Sequence, residues 1–201
     1  MVRKTVPLIN GEMYHIFNRG VDKRDTYTSK NDYIRFYLSL DVFNTIQPSS
    51  NFEDSKNKQR SKGDRLVQIY AYSLLPNHFH LIVKQCVDGG ISEFMKRIQG
   101  GYTSHFNEKY NRSGALFQGR FKRIHIDTEE YYQYLFVYVN ENHYVHDVQR
   151  LDEVCYSSSI HYQNIAKSRL LLEDQVKYNL HESKELAKLI ATQRRILKAE
   201  I

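Results

Sequence analysis

The chain has 201 residues, with 29 Lys+Arg against 23 Asp+Glu, and 16 Tyr and 10 Phe but no Trp. A formal net charge of +6 is typical of nucleic-acid binders but also of many other proteins. No apolar run approaches the roughly 20 residues of a membrane span, no secretory leader is apparent, and Cys86 and Cys155 stand far apart. We therefore expect a cytoplasmic protein with free thiols and no membrane contact.

The first third of the chain predicts a strand, a helix and a polar loop. Apolar and polar residues alternate over residues 13–18, which is typical of a half-buried strand. Apolar residues then recur every three or four positions over residues 31–43, which predicts a helix capped by Ser29 or Asn31. Residues 47–66 are almost entirely polar and charged, so we expect a mobile loop there.

The middle of the chain predicts a hairpin and a second helix. Two apolar segments, 66–75 and 79–84, flank a Pro76-Asn77 pair, which is a typical turn sequence. A helix over residues 92–110 follows, because apolar side chains recur at fourfold spacing and Ser92 can cap the first turn.

The last part predicts one more strand and one more helix. A short strand is expected near residues 121–126, and a helix capped by Asp127 or Thr128 is expected to reach about Asn142. The order of elements is that of an α+β, ferredoxin-like split βαβ fold, with an antiparallel sheet and helices on one face. We expect one domain over residues 1–162 and a helical tail over residues 163–201.

Two histidines on the second strand of the hairpin are candidate metal ligands. Alternation places His78 and His80 on one face and Phe79, Leu81 and Val83 on the other, with the two histidine Cα atoms about 7 Å apart. Paired imidazoles suit a divalent cation, although two strand histidines can also be polar residues on a solvated face. Neither cysteine is placed for a zinc site, so an open site for Mg²⁺ or Mn²⁺ with a side-chain oxygen as third ligand is the better hypothesis.

The last predicted helix offers a phenol and an amide one turn apart. Tyr138 and Asn142 are four residues apart and would share a helix face, so they could supply a nucleophile and a metal ligand to one cation. Spacing alone does not select this pair, because Tyr37 and Asp41 stand in the same relation. The tyrosines of this helix could equally form a packed aromatic face.

Several motifs in the same order resemble the single-tyrosine HUH transposases, and in particular the REP-associated tyrosine transposases. The motifs are Tyr-His-Ile-Phe-Asn-Arg-Gly at 14–20, Leu-Pro-Asn-His-Phe-His at 75–80, Arg-Ser-Gly-Ala-Leu-Phe-Gln-Gly-Arg-Phe-Lys at 112–122, Tyr-Val-Asn-Glu-Asn at 138–142 and Cys-Tyr-Ser-Ser-Ser-Ile-His-Tyr at 155–162. The resemblance covers about three quarters of the chain.

The resemblance implies a role for each matching residue. His78 and His80 would be the metal ligands, Asn142 the third ligand through its side-chain oxygen, and Tyr138 the nucleophile that forms a 5′-phosphotyrosine with DNA. The family usually has proline after this asparagine, whereas this chain has His143. The implied cofactor is Mg²⁺ or Mn²⁺, and the implied activity is cleavage and rejoining of DNA strands in transposition.

Basic residues near glycines and aromatic residues are the candidate DNA contacts. They are Arg19, Lys23, Arg24, Arg112, Arg120, Lys122 and Arg123. The implied substrate is single-stranded DNA beside a hairpin, such as a repetitive palindromic element, bound by a monomer or a homodimer. The alternatives are a DNA-hairpin-binding protein that does not use the catalytic residues and a metal-dependent phosphoesterase that does not use the tyrosine.

Overall fold

A four-stranded antiparallel sheet, in the order β2-β3-β1-β4, forms the centre of the molecule. The computed structural model describes residues 7–47, 52, 64–142, 157–162 and 170–171. The elements are β1 (Met13–Arg19), α1 (Lys30–Val42), β2 (Val67–Leu75), β3 (His78–Gln85), α2 (Gly90–Lys109), β4 (Lys122–Ile126) and α3 (Glu129–Asn140), with a 3-10 turn at Val21–Lys23 and a helical turn at Ser159–Tyr162.

The strand order confirms the predicted α+β split βαβ fold. β1 pairs with β3 on one side and with β4 on the other, both antiparallel, so β1 and β3 are the central strands. β2 and β3 form the predicted hairpin around Pro76-Asn77, with Leu75 opposite His78. In this register Phe17 lies opposite His80 and Arg19 opposite His78, which places the end of β1 beside the two histidines.

The main core lies between the sheet and the helices α1 and α2. The rings of Phe36, Phe79, Tyr102 and Phe117 contact one another there, with centroids 5.0–6.3 Å apart. This is the apolar face that strand alternation predicts. Burial of these large rings is the principal contribution to stability.

One detail of the expected architecture differs, because not all helices lie on one face. The ring of Tyr138 in α3 contacts the ring of His80, which points away from the core side of the sheet. α3 therefore covers the opposite face. The two strand histidines are consequently enclosed between the sheet and a helix rather than lying on a solvated face.

The predicted helix starts are confirmed at two of three helices. Ser29 caps α1, where its backbone N–H donates to the Asp32 side chain over 2.9 Å, and Thr128 Oγ1 caps α3 by accepting from the Tyr131 N–H. α2 begins at Gly90, two residues before the predicted position, and its N-cap is Gly89 in the left-handed region with φ 66°. Ser92 is therefore not the cap.

The closing segment, defined here as residues 157–162, is fastened to the outer edge of β2. Ser157 forms a β-bridge with Ser73, and the Ser158 hydroxyl accepts from the Tyr72 N–H over 3.0 Å. The same hydroxyl donates to Oδ1 of Asn140 over 2.6 Å, and the Ser157 hydroxyl donates to the Asn140 carbonyl over 2.7 Å. Two buried serines thus join the end of α3 to the sheet.

Some predictions fall outside the described residues. This applies to most of the 47–66 loop and of the 163–201 tail, and to His143 and Cys155. Within the tail, Leu170 and Leu171 are buried against the core. No helix among the described residues has the length and apolar character needed to cross a membrane.

Candidate active site

The two histidines of β3 lie side by side on the sheet face that α3 covers. The rings of His78 and His80 are 5.1 Å apart between centroids and nearly perpendicular, with an interplanar angle of 84°. His80 is buried and His78 is half-buried. Strand alternation therefore produces the predicted pair of imidazoles, with one ring deeper than the other.

The turn before β3 orients the outer histidine. Nδ1 of His78 lies 2.6 Å from Oδ1 of Asn77, while Nδ2 of Asn77 donates to the Lys23 carbonyl over 3.1 Å. Because the Asn77 amide donates through its nitrogen, its oxygen faces the ring and accepts the Nδ1–H of His78. That tautomer keeps the lone pair of His78 on Nε2, the nitrogen that a metal ligand of this orientation would use.

A third histidine orients the inner one. Nε2 of His15 on β1 lies 2.8 Å from Nδ1 of His80, and the two rings stack with centroids 5.1 Å apart. Burial lowers the pKa of His15 to about 4, so the ring is neutral near pH 7. A neutral His15 can accept the Nδ1–H of His80, which again leaves Nε2 of the strand histidine with its lone pair.

Tyr138 lies directly against this histidine pair. Its ring meets His80 edge to face, with centroids 5.6 Å apart and an interplanar angle of 88°. The side chain is half-buried and is therefore accessible from solvent. One helical turn earlier, Tyr134 stacks nearly parallel on Tyr138, at 6.3 Å and 14°. The structure thus brings the predicted nucleophile and a predicted ligand into contact.

Asn142 differs from its predicted position on the helix. α3 ends at Asn140 with Glu141 as its C-cap, so Asn142 lies beyond the helix and does not share a regular helical face with Tyr138. Its side chain is fully buried, and among the described residues neither Oδ1 nor Nδ2 has a hydrogen-bond partner. The buried Nδ1 of His15 likewise has no partner there, and unsatisfied buried groups of this kind are costly.

The predicted ligand set combines two ring nitrogens with an amide oxygen. Among the described residues, no three His, Cys, Asp or Glu side chains form a group that could hold a metal ion. The mixed nitrogen and oxygen chemistry of His78, His80 and Asn142 is compatible with Mn²⁺ or Mg²⁺, and metal binding by these three residues stays a prediction.

Two of the predicted DNA contacts lie on the same sheet face as the histidines. Arg19 stands opposite His78 in the β1–β3 register, and its Nε donates to Oε1 of Gln118 over 2.6 Å. Lys122 stands opposite Phe17 and is exposed. By strand alternation, both side chains therefore lie on the face of the sheet that carries His80.

The remaining basic candidates are placed differently. Arg123 alternates to the core side of β4, while Lys23, Arg24 and Arg120 are exposed. Arg24 forms an ion pair with Asp22 at 3.5 Å. Arg112 braces its own turn, donating to Oδ1 of Asn107 over 2.5 Å and to the Ala115 carbonyl over 3.2 Å. A DNA contact by each of these residues remains a prediction.

Sequence reasoning missed His15 and Asn77. Both belong to motifs that the resemblance includes, but neither was given a role there. The sequence contained one signal for His15. It is a histidine on an alternating strand, as are His78 and His80. Its partner, however, is separated from it by 65 positions, and only strand pairing makes them neighbours.

Two comparisons with known proteins agree with this geometry. Residues 55–142, which contain both strand histidines, Tyr138 and Asn142, match the family model described as Transposase IS200 like. The resemblance drawn from the sequence motifs is therefore confirmed over this part of the chain. A search of curated proteins gave no match.

The fold has a counterpart among solved structures. The chain is similar to "Structure of the REP associates tyrosine transposase bound to a REP hairpin", with a TM-score of 0.53 and 16% sequence identity. The similarity covers 82% of this chain and 86% of that chain. At this identity the likeness establishes the fold, and the family-model match shows similarity to IS200-like transposases over residues 55–142.

Proposed function

We propose that this protein is a transposase that cleaves and rejoins single-stranded DNA beside a hairpin, through a 5′-phosphotyrosine on Tyr138. One observation carries the proposal: the Tyr138 ring contacts His80 on the face where both strand histidines lie. The solved relative is described as bound to a REP hairpin, which supports hairpin DNA as the partner. A DNA substrate also agrees with the cytoplasmic location expected from the sequence.

The reaction is an exchange of phosphodiesters. The Tyr138 oxygen attacks the scissile phosphorus, the bond to the 3′ oxygen breaks, and the tyrosine becomes linked to the 5′ phosphate. The phenol proton passes to solvent and the departing 3′ oxygen takes up a proton. Attack by a 3′-hydroxyl on the phosphotyrosine reverses these steps, so rejoining needs no ATP.

The proposed metal ligands are Nε2 of His78, Nε2 of His80 and Oδ1 of Asn142. A bound Mg²⁺ or Mn²⁺ would polarise the phosphoryl oxygens and stabilise the charge that develops during attack. Asn77 and His15 hold the two rings in the orientation that this binding requires. Arg19 and Lys122, on the same face, are placed to bind flanking phosphates.

The proposed nucleophile and a proposed metal ligand lie in contact within a single chain. Tyr138 contacts His80 of its own chain, so the nucleophile needs no second protomer. We therefore propose that the protein acts in cis and that a monomer suffices. The second candidate, hairpin binding without catalysis, is disfavoured because Tyr138 and both strand histidines are present and lie in contact on one face.

The test uses single-stranded oligonucleotides. They are copied from the DNA on both sides of the gene and include any hairpin-forming repeats. With Mn²⁺, the wild type is expected to form a covalent adduct that survives denaturing electrophoresis. Tyr138→Phe should bind the same DNA but form no adduct, whereas Tyr134→Phe, one turn away, should form it normally. An adduct in Tyr138→Phe would show that another residue is the nucleophile, and hairpin binding without any wild-type adduct would favour the second candidate.

A further inference from the structure

A second tyrosine beside the proposed nucleophile has no role in the chemistry described so far. Tyr134 lies one turn before Tyr138 on α3, and the two rings are nearly parallel, at 14°. Tyr134 is 47% exposed, which makes it the most exposed tyrosine among the described residues. A tyrosine at the surface offers an apolar ring together with a polar hydroxyl, which is why tyrosine is enriched where proteins bind partners.

We propose that Tyr134 is a stacking platform for an unpaired base next to the scissile phosphate, which rests on the proposed cleavage of single-stranded DNA. Tyr138 would act on the phosphate while Tyr134 holds a neighbouring nucleotide one helical turn away, which is about 5–6 Å along the helix. That spacing is comparable with the distance between successive nucleotides in an extended strand.

The sheet face that α3 covers favours a nucleic acid over a protein partner. On the sheet face that α3 covers, the exposed side chains of Lys122 and Arg19 provide positive charge, and Ile124, 42% exposed, provides a further apolar contact. Cations that bind phosphates and an aromatic ring that stacks on a base are the two components of sequence-tolerant single-strand binding. A protein partner would require a larger contiguous apolar surface.

Tyr134 is distinguished from the other tyrosines of α3 by its environment. Tyr132 is buried and contacts Tyr70 at 6.3 Å, so it belongs to the core around β2. Tyr131 is half-buried, and burial is the main cause that raises its pKa. Tyr134 alone of this set combines exposure with a parallel neighbour in the proposed site.

Binding measurements in a Tyr138→Phe background test this proposal without cleavage. Replacing Tyr134 by Ala in that background is expected to weaken binding of the hairpin oligonucleotide about 5- to 100-fold, since a base stacked on an aromatic ring contributes about 1–3 kcal/mol. Tyr134→Phe, which keeps the stacking ring, should bind within about twofold of the parent. Ile46→Ala, at an exposed apolar residue of another region, is the control for general surface effects.

Abasic nucleotides, introduced one at a time around the cleavage position, identify the base. One abasic site should weaken binding of the Tyr134 protein and leave the Tyr134→Ala protein unaffected. The proposal is overturned if Tyr134→Ala binds as tightly as its parent, or if Ala and Phe at this position lose affinity equally. Failure of the proposed function is distinct, because it appears as absence of a wild-type adduct whatever the binding result.

Discussion

Nε2 of His15 lies 2.8 Å from Nδ1 of His80, so a strand-to-strand hydrogen bond fixes the ring that contacts Tyr138. His80 uses Nδ1 for this bond, and Nε2 is the nitrogen of the proposed metal ligand. The same arrangement recurs at His78, where Asn77 takes the part of His15. Both strand histidines are therefore oriented by a hydrogen bond at Nδ1, and the partners in these bonds are His15 and Asn77.

Replacing His15 is expected to weaken metal-dependent cleavage. His15→Ala removes the acceptor that orients His80, so adduct formation should fall about 10- to 100-fold and require more Mn²⁺. His15→Gln, whose amide oxygen can accept the same bond, should keep more activity. The measurement is the rate of adduct formation as a function of Mn²⁺ concentration.

His125 provides the matched control for this prediction. It lies on the other face of the sheet, where its ring contacts Tyr14 and its Nε2 is 2.9 Å from Glu12. His125→Ala should leave the Mn²⁺ dependence unchanged. An identical Mn²⁺ response in wild type and in folded His15→Ala would exclude an orienting role for His15.

Asn142 should reveal the metal through stability as well as through activity. Its buried amide has no hydrogen-bond partner among the described residues, so replacement by the nearly isosteric Leu should leave the metal-free protein equally stable or more stable. Addition of Mn²⁺ should raise the melting temperature of the wild type and have a smaller effect on Asn142→Leu. Equal shifts in the two proteins would mean that Asn142 is not a ligand.

The Ser158 hydroxyl is expected to stabilise the fold at the end of α3. Ser158→Ala leaves the Tyr72 N–H and Oδ1 of Asn140 without that partner, which should lower the free energy of unfolding by about 1–3 kcal/mol. Ser39→Ala is the control, because this buried hydroxyl only donates to the Arg35 carbonyl within α1. Urea denaturation of the three proteins gives the comparison, and equal losses for both variants would contradict the proposed connection.

Asp32 should make stability depend on acid pH. Burial by itself would raise the pKa of this carboxyl, but hydrogen bonds from Lys109, Tyr110 and the Thr28 N–H lower it to about 2, against 3.8 in a model compound. A lowered pKa stabilises the folded state above about pH 4, and this contribution, about 2 kcal/mol, is lost as the pH falls towards 2.

The contribution of Asp32 to stability is checked by measuring the free energy of unfolding between pH 5 and pH 2. The proteins compared are the wild type, Asp32→Asn and Asp25→Asn. Asp25 is exposed, so its variant should follow the wild type. Asp32→Asn should be less stable at pH 5 and should lose less stability on acidification. Parallel curves for wild type and Asp32→Asn would contradict the assignment of the shift to this group.

Local patterns were sufficient for the strands and for most helix ends, but not for features that distant residues determine. The alternation around His80 and the Thr128 cap are local, and both are confirmed. α2 starts earlier than predicted because of two contacts with distant residues. The Gln85 side chain accepts from the Ile91 N–H over 3.2 Å. Gly90 also lies so close to Leu66 that a Cβ on residue 90 would be 2.4 Å from the Leu66 carbonyl oxygen.

The roles of the site residues stay a prediction, and the structure changes part of the geometry that the sequence suggested for them. α3 was expected to continue to Asn142, but it ends where the Asn140 carbonyl and side chain are engaged by Ser157 and Ser158. These serines are far from α3 in sequence terms and have no helix-ending signal of their own. The contact of α3 with the histidine face also depends on tertiary packing, which alternation in a single strand does not specify.

The closing segment has a consequence for how copies of this protein meet one another. β2 is an outer strand of the sheet, and the Ser73–Ser157 bridge with the Ser158 bonds to Tyr72 occupies its outer backbone groups. At the opposite border, β4 begins with the charged pair Lys122 and Arg123. The closing segment covers the β2 edge, and positive charges on the β4 edge repel the same edge of another molecule. Both features disfavour edge-to-edge aggregation of the sheet.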